Sequence, residues 1–201
     1  MANDNLPIRI RNGLFLAPSR TTGEQLLEPL LRYKYSLLDP VGNDHDAIAK
    51  NGTKYEIKTS KVLKKPANRN SGKAQLSILE RVLIEEETQM THRLVPYKEC
   101  KTADYDANIQ NVKRDHFDEL IYVLLFEDCI KIFFAKVNEI KTGSLPGWSD
   151  KHGRYDRVGK SGQFNITKRT VQWHIDNCLR DTMTYTEAAE IFELLSRPHV
   201  N

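Results

Sequence analysis

Residues 44–61 read DHDAIAKNGTKYEIKTSK, and the way this stretch pairs with itself decides the fold. It alternates as a strand does and turns at Asn51-Gly52, a dipeptide that suits a hairpin. Tyr55, Ile57 and Ile48 are able to pack, yet Asp44, Asp46, Glu56 and Lys58 lie among them. Two registers are open. With Asn51-Gly52 as a two-residue turn, Glu56 faces Ala47 and Asp46 points to the opposite face. With Lys50-Asn51-Gly52 as a three-residue loop and Gly52 in a bulge, Asp46 falls opposite Glu56 and Asp44 opposite Lys58. Alternation alone does not choose between them.

The surroundings bound the answer. A chain of 201 residues is long enough for one domain with an adequate core. Charged residues make up 28 % and apolar residues 39 %, a soluble, globular composition. LIYVLLF and IKIFFAKV are too short to cross a membrane, and MANDNLPIRIRNG has no apolar h-region, so a cytoplasmic location is expected. Cys100, Cys129 and Cys178 are odd in number and lack metal-type spacing, which points to reduced thiols. His45 and His174 lack any zinc-type partner spacing.

Net charge is +3, but the basic residues gather in two zones. Lys54 to Lys73 holds Lys54, Lys58, Lys61, Lys64, Lys65, Arg69 and Lys73 against Glu56 alone. Lys151 to Arg169 holds Lys151, Arg154, Arg157, Lys160, Lys168 and Arg169 against Asp156. Such zones suggest a polyanion footprint.

Around the hairpin, TTGEQLLEPLLRYK predicts a helix with Thr22 as N-cap and Leu26, Leu27, Leu30 and Leu31 on one stripe. Pro29 fits best in a first turn, which moves the start later. SGKAQLSILERVLIEEETQM predicts a second helix, and residues 91–116 read as loop with short elements. DELIYVLLFEDCIKIFFAKVNEI predicts two buried strands meeting at Glu127-Asp128. A long polar loop follows, then helices in RTVQWHIDNCL and TYTEAAEIFELLS, the second capped by Thr184 or Thr186 with Glu187 available for a capping box. The order is α/β, in a single domain over 1–201.

Two carboxylates on adjacent strands repel unless a cation lies between them, and oxygen donors suit Mg²⁺, which keeps several waters. Lys58, two residues past Glu56, lies on the same strand face. It is able to steady a nucleophilic water or the charge growing on a phosphate. Acid, then acid-x-lysine, is a minimal set for metal-assisted phosphodiester hydrolysis.

Asp46, nine intervening residues and Glu56-Ile57-Lys58 resemble the PD-(D/E)xK nuclease superfamily, and within it the type II restriction endonucleases. The resemblance implies a restriction-endonuclease-like core, a central mixed sheet flanked by helices, over about residues 20–137. It implies a DNA-contacting loop and C-terminal helices over about 141–201. It also implies a Mg²⁺-dependent, site-specific deoxyribonuclease, with Mn²⁺ able to substitute. Asp46, Glu56 and Lys58 take the catalytic places. Asp46, Glu56 and the Ile57 carbonyl take the metal places, and an upstream helix acid joins them; Glu24 or Glu28 matches that place, and Glu24 is taken first. The first acid stands in NDHDAI rather than in a Pro-Asp pair, which leaves Asp44 beside Asp46, and the bulge register favours Asp46. Double-stranded DNA, a homodimer and a cognate DNA methyltransferase are the implied partners, with no membrane.

On that reading Lys61, Lys64, Lys65, Arg69 and Lys73 follow the phosphates next to the cut. Arg154, Arg157, Lys160, Gln163, Asn165, Lys168 and Arg169 form the base-reading zone, since Arg with Gln or Asn reads guanine and adenine edges. Gly159, Ser161 and Gly162 would allow close approach to the groove. Thr91, His92, Arg93, Asn108 and Gln110 are the next set. A junction-resolving or repair nicking nuclease of the same fold is the nearer alternative. A regulator with a helix-turn-helix in residues 165–195 is the alternative from another class.

Overall fold

In the computed structural model, residues 5–40, 42, 44–65, 93–141, 143–150 and 161–197 are described. The helix expected over 71–90 lies outside them, as do Arg69, Lys73, Thr91, His92, Arg154, Arg157, Gly159 and Lys160.

The fold is α/β and is built around DELIYVLLF. β4 (Glu119–Leu125) is the middle strand of a five-stranded mixed sheet of order β1-β2-β4-β5-β8. β1 (Ala47–Ile48) is antiparallel to β2 (Lys54–Lys61), and β2 runs parallel to β4. β5 (Ile130–Lys136) is antiparallel to β4 across the turn at Glu127-Asp128, closed by the Phe126 N–H donating to the Cys129 carbonyl at 2.9 Å. β8 (Leu179–Met183) is the far edge, antiparallel to β5.

The unbroken apolar run of β4 follows from burial on both faces. Ile121, Val123 and Leu125 join Leu14, Leu27, Leu30, Leu31, Ile57 and Met183 in the core beneath the helices. Leu120, Tyr122 and Leu124 join Phe133, Ile109, Phe164 and Ile166 in a second core. That second core is closed by a three-stranded antiparallel sheet of order β3-β7-β6, formed by β3 (Ala107–Val112), β6 (Trp148–Ser149) and β7 (Gly162–Ile166). α3 (Val137–Lys141) and α4 (Val171–Cys178) lie at its margins through Ile140, Val171 and Cys178.

The helical layer begins with α1 (Leu6–Leu16), which periodicity did not reveal because only Leu14 and Phe15 are buried along it. Thr22 is not an N-cap. It is fully buried, and its hydroxyl shares its proton among the carbonyls of Leu14 at 3.0 Å, Ala17 at 3.2 Å and Pro18 at 3.2 Å. Residues Thr21–Leu27 form a π-helical turn, and the regular helix α2 (Glu28–Tyr35) starts with Pro29 in its first turn, later than TTGEQ, as the proline required.

α5 (Tyr185–Ser196) carries the expected capping box: the Glu187 N–H donates to Thr184 Oγ1 at 3.1 Å and the Thr184 N–H donates to Glu187 Oε2 at 2.6 Å. α4 and α5 are not two arms of a helix-turn-helix, because β8 separates them and pairs into the central sheet. Nor does the core stop near residue 137, since the C-terminal segment supplies its fifth strand and packs α5 against α1.

His174 is wholly buried, takes Tyr122 Oη at 2.8 Å on Nδ1 and stacks on Phe164. Burial pushes its imidazole down to about 4, so it is a neutral core residue. All three cysteines are buried free thiols, each raised chiefly by burial, Cys129 to about 12. Among the described residues no helix is long and apolar enough to cross a membrane.

Candidate active site

The hairpin adopts the bulged register. Ala47 faces Tyr55 and Ile48 faces Lys54, as a three-residue loop requires, and Asp46 follows at the end of this pairing. The loop is Lys50-Asn51-Gly52: the Gly52 N–H donates to the Ala49 carbonyl at 2.9 Å, and Gly52 has φ +88°, where a side chain is strained. The Asn51 carboxamide accepts from the Thr53 N–H at 3.1 Å and holds the turn.

The last ladder bond on this edge runs from the Asp46 N–H to the Tyr55 carbonyl at 2.9 Å. Beyond it, the Ile57 N–H donates to Asp46 Oδ2 at 2.7 Å. The carboxylate thus stands in for the missing strand, held by a charge-assisted bond. Lys58 Nζ lies 2.5 Å from Glu56 Oε1 and 3.5 Å from Asp46 Oδ2, and also donates to the Ile57 carbonyl at 3.2 Å. Arg32 on α2 grips the Asp46 main-chain carbonyl from Nη2 at 2.9 Å and from Nε at 3.2 Å, and pairs with Glu28 and Asp39.

Glu56 is only 7 % exposed, and burial raises its pKa, with Lys58 opposing and Asp46 reinforcing the shift. Burial alone would lower Lys58, but Glu56 and Asp46 outweigh it and hold the ammonium above its ordinary value. Glu28 is pushed up to about 7, first by burial and then by the Asp46 charge, against Arg32 and Lys58. Glu28 thus lies within this charge cluster, sharing Arg32 with Asp46, and Glu24 does not. Glu24 is exposed and pairs with Arg20 at 2.8 Å. Asp44 is also outside, its side chain 80 % exposed and 3.7 Å from the His116 ring.

The donor set fits a hard divalent ion: the Asp46 and Glu56 carboxylates, the Ile57 carbonyl and Glu28 alongside are all oxygen, with no thiol or imidazole. No group of three or more His, Cys, Asp or Glu side chains is gathered closely enough to hold a metal by itself among the described residues. An ion here would take few protein ligands and keep its waters, which Mg²⁺ tolerates.

The expected phosphate and base contacts divide. Lys61 is withdrawn from the phosphate track: its ammonium donates to the Phe15 carbonyl at 2.8 Å and to the Ala17 carbonyl, tying the end of α1 to β2, and burial lowers its pKa. Lys64 lies 3.5 Å from Glu99, Lys65 lies 3.1 Å from Asp106, and Lys168 lies 3.8 Å from Asp104. These are half-exposed pairs of small energetic worth, and they are able to exchange for phosphate. Arg169 is exposed, its N–H donating to Thr167 Oγ1 at 3.3 Å. Gln163 and Asn165 lie on β7, with Asn165 directly across from Asn108. Gly162 does not open a path to a groove; a Cβ there would meet the Trp148 ring at 2.1 Å, so its missing side chain seats that indole.

Sequence reasoning missed Arg32, visible only as an i, i+4 partner of Glu28, and Lys113, whose charge helps to draw down Glu56. Compared with known proteins, the chain matches no family model, no curated protein and no solved structure.

Proposed function

We propose that the chain is a Mg²⁺-dependent endonuclease that cuts double-stranded DNA at a specific sequence, in the manner of a type II restriction enzyme. The supporting observation is the bulged hairpin register, which brings Asp46, Glu56 and Lys58 to one point at the end of a strand ladder. A surface hairpin of alternating charges has no need to bury Glu56 or to tie Asp46 to the Ile57 N–H.

Asp46, Glu56 and the Ile57 carbonyl would hold the ion, which supplies Lewis-acid stabilisation of the phosphate and a more acidic water. The chain's own groups do the rest. The Ile57 N–H and Arg32 fix the position of Asp46. Lys58 offers an ammonium to the growing negative charge on the phosphate oxygens. Glu28 would accept the proton that water loses as its oxygen bonds to phosphorus, while the leaving oxygen departs with the P–O electron pair and takes a proton from solvent. Two copies related by a twofold axis would present one such site to each strand of a palindromic duplex.

A digest of linear phage DNA with Mg²⁺ should give discrete fragments, and Mn²⁺ should replace Mg²⁺. Glu56→Gln and Lys58→Ala should each slow cutting by at least about a hundredfold while leaving DNA binding largely intact, because they remove transition-state charge rather than phosphate contacts. Cutting by either variant near the parent rate would refute the assignment. Cleavage confined to branched or mismatched DNA would move the reading to a junction-resolving or nicking nuclease.

A further inference from the structure

The β3-β7-β6 sheet is amphipathic in the strand period. Ala107, Ile109, Phe164 and Ile166 enter the core, while Asn108, Gln110, Gln163 and Asn165 alternate with them on the other face. Four carboxamides thus share one sheet face, Asn108 directly opposite Asn165. The Asn108 carboxamide oxygen is buried with no hydrogen-bond partner among the described residues. Asn108 is thus held within the sheet, and Gln110 and Asn165 are the carboxamides this face exposes.

This face is attached to the strand that carries the site. Lys64 bridges to Tyr105, and the Asn108 N–H donates to Ser60 Oγ at 3.0 Å. These two points keep nearly constant step, so β3 returns antiparallel along β2, past the face that holds Glu56, Lys58 and Ser60, with exposed Lys113 farther along it.

Midway the ladder slips. Ile109 faces Phe164 and Val112 faces Gly162, so Gln110 and Asn111 share Gln163 as their one opposing residue. Asn111 takes φ 56°, in the left-handed region. A bulge re-aims side chains and sharpens twist, and bulges gather beside active sites.

We propose that this carboxamide face is the base-reading surface for the duplex cut at Asp46, Glu56 and Lys58, with Lys113 holding a phosphate of the cut strand. This inference rests on the proposed endonuclease reading and names the residues that give it specificity. A carboxamide presents a donor beside an acceptor, the pattern that pairs with adenine N6 and N7, and a β-ribbon fits the major groove. Ser60 lies two residues from Lys58, about 6.6 Å along a strand. Readout is therefore expected at A·T pairs close to the cut.

The test selects bound duplexes from a randomised pool, with Ca²⁺ in place of Mg²⁺ so that no cutting is needed. The parent should enrich a motif containing A·T pairs. Gln110→Ala and Asn165→Ala alter exposed side chains and should each lose preference at one base pair, by roughly tenfold to a hundredfold, with random-duplex affinity little changed. Lys113→Ala should weaken all sequences alike and reduce the salt slope by about one ion. Recovery of the parent motif from both carboxamide variants overturns the proposal. So does equal loss of all DNA at unchanged melting temperature, and so does a parent that enriches no motif. A parent that selects a motif but cuts with no divalent ion removes the endonuclease reading and leaves the reading surface in place.

Discussion

Glu28 shows how a single carboxyl reports on its neighbours. Its folded pKa of about 7 stands above the ordinary 4.5, so between these values the folded state keeps a proton that the unfolded chain has released. Stability from this group is full below about 4.5 and is lost as pH rises through 7. The parent's melting temperature should fall from about pH 5 to about pH 8 more steeply than that of Glu28→Gln. Mg²⁺ should raise the parent's melting temperature more at pH 8 than at about pH 6, because the ion competes with the protons its ligands hold. Parallel melting curves for the two proteins would show that Glu28 is not held as described. The legibility of the site also divides at this scale. Asp46, Glu56 and Lys58 were readable because strand period and turn chemistry are local rules. Glu28 was an open alternative to Glu24, since a π-helical turn shifts the angular position of both and no 3.6-residue reckoning predicts it. Lys61 was misplaced because its acceptors, the Phe15 and Ala17 carbonyls, lie at the end of a helix that the sequence did not disclose.

At the scale of elements, the three-residue loop sets the register, and the register sets which side chains meet. A β-branched residue at position 52 would have to adopt φ near +88°. Gly52→Val should cost about 1–2 kcal/mol if the turn holds. If the turn yields, a one-residue slip sends Asp46 to the far face. Cutting should then fall much further than thermal stability does, whereas Asn51→Ala, which loses one turn hydrogen bond but keeps the glycine, should reduce both modestly. Activity of Gly52→Val that only tracks its stability would argue against register control. The strong strands β4 and β5 were legible because burial on both faces leaves a continuous apolar run. β3 and β8 were not. In β3 the bulge breaks the alternation after Ile109, and in β8 only Met183 is buried, so neither carries a two-residue period long enough to see.

For the whole molecule, the helical layer presents Ile8 and Leu16 on α1 and Leu194 and Leu195 on α5, all exposed. The two helices pack together, so these apolar side chains belong to one layer, away from the carboxamide sheet. That is where a second copy would dock without covering the proposed reading surface. Sedimentation on cognate DNA should show a dimer for the parent and a monomer for the double variant Leu194→Glu, Leu195→Glu; a strictly monomeric parent would mean sequential nicking of the two strands. The three thiols have a consequence of another kind. Cys100, Cys129 and Cys178 all sit in the core shared by the two sheets, where burial suppresses the reactive thiolate. An alkylating reagent gains access only when that core opens. The chain thus carries its own gauge of integrity: the rate of thiol modification counts excursions that open the core between the two sheets.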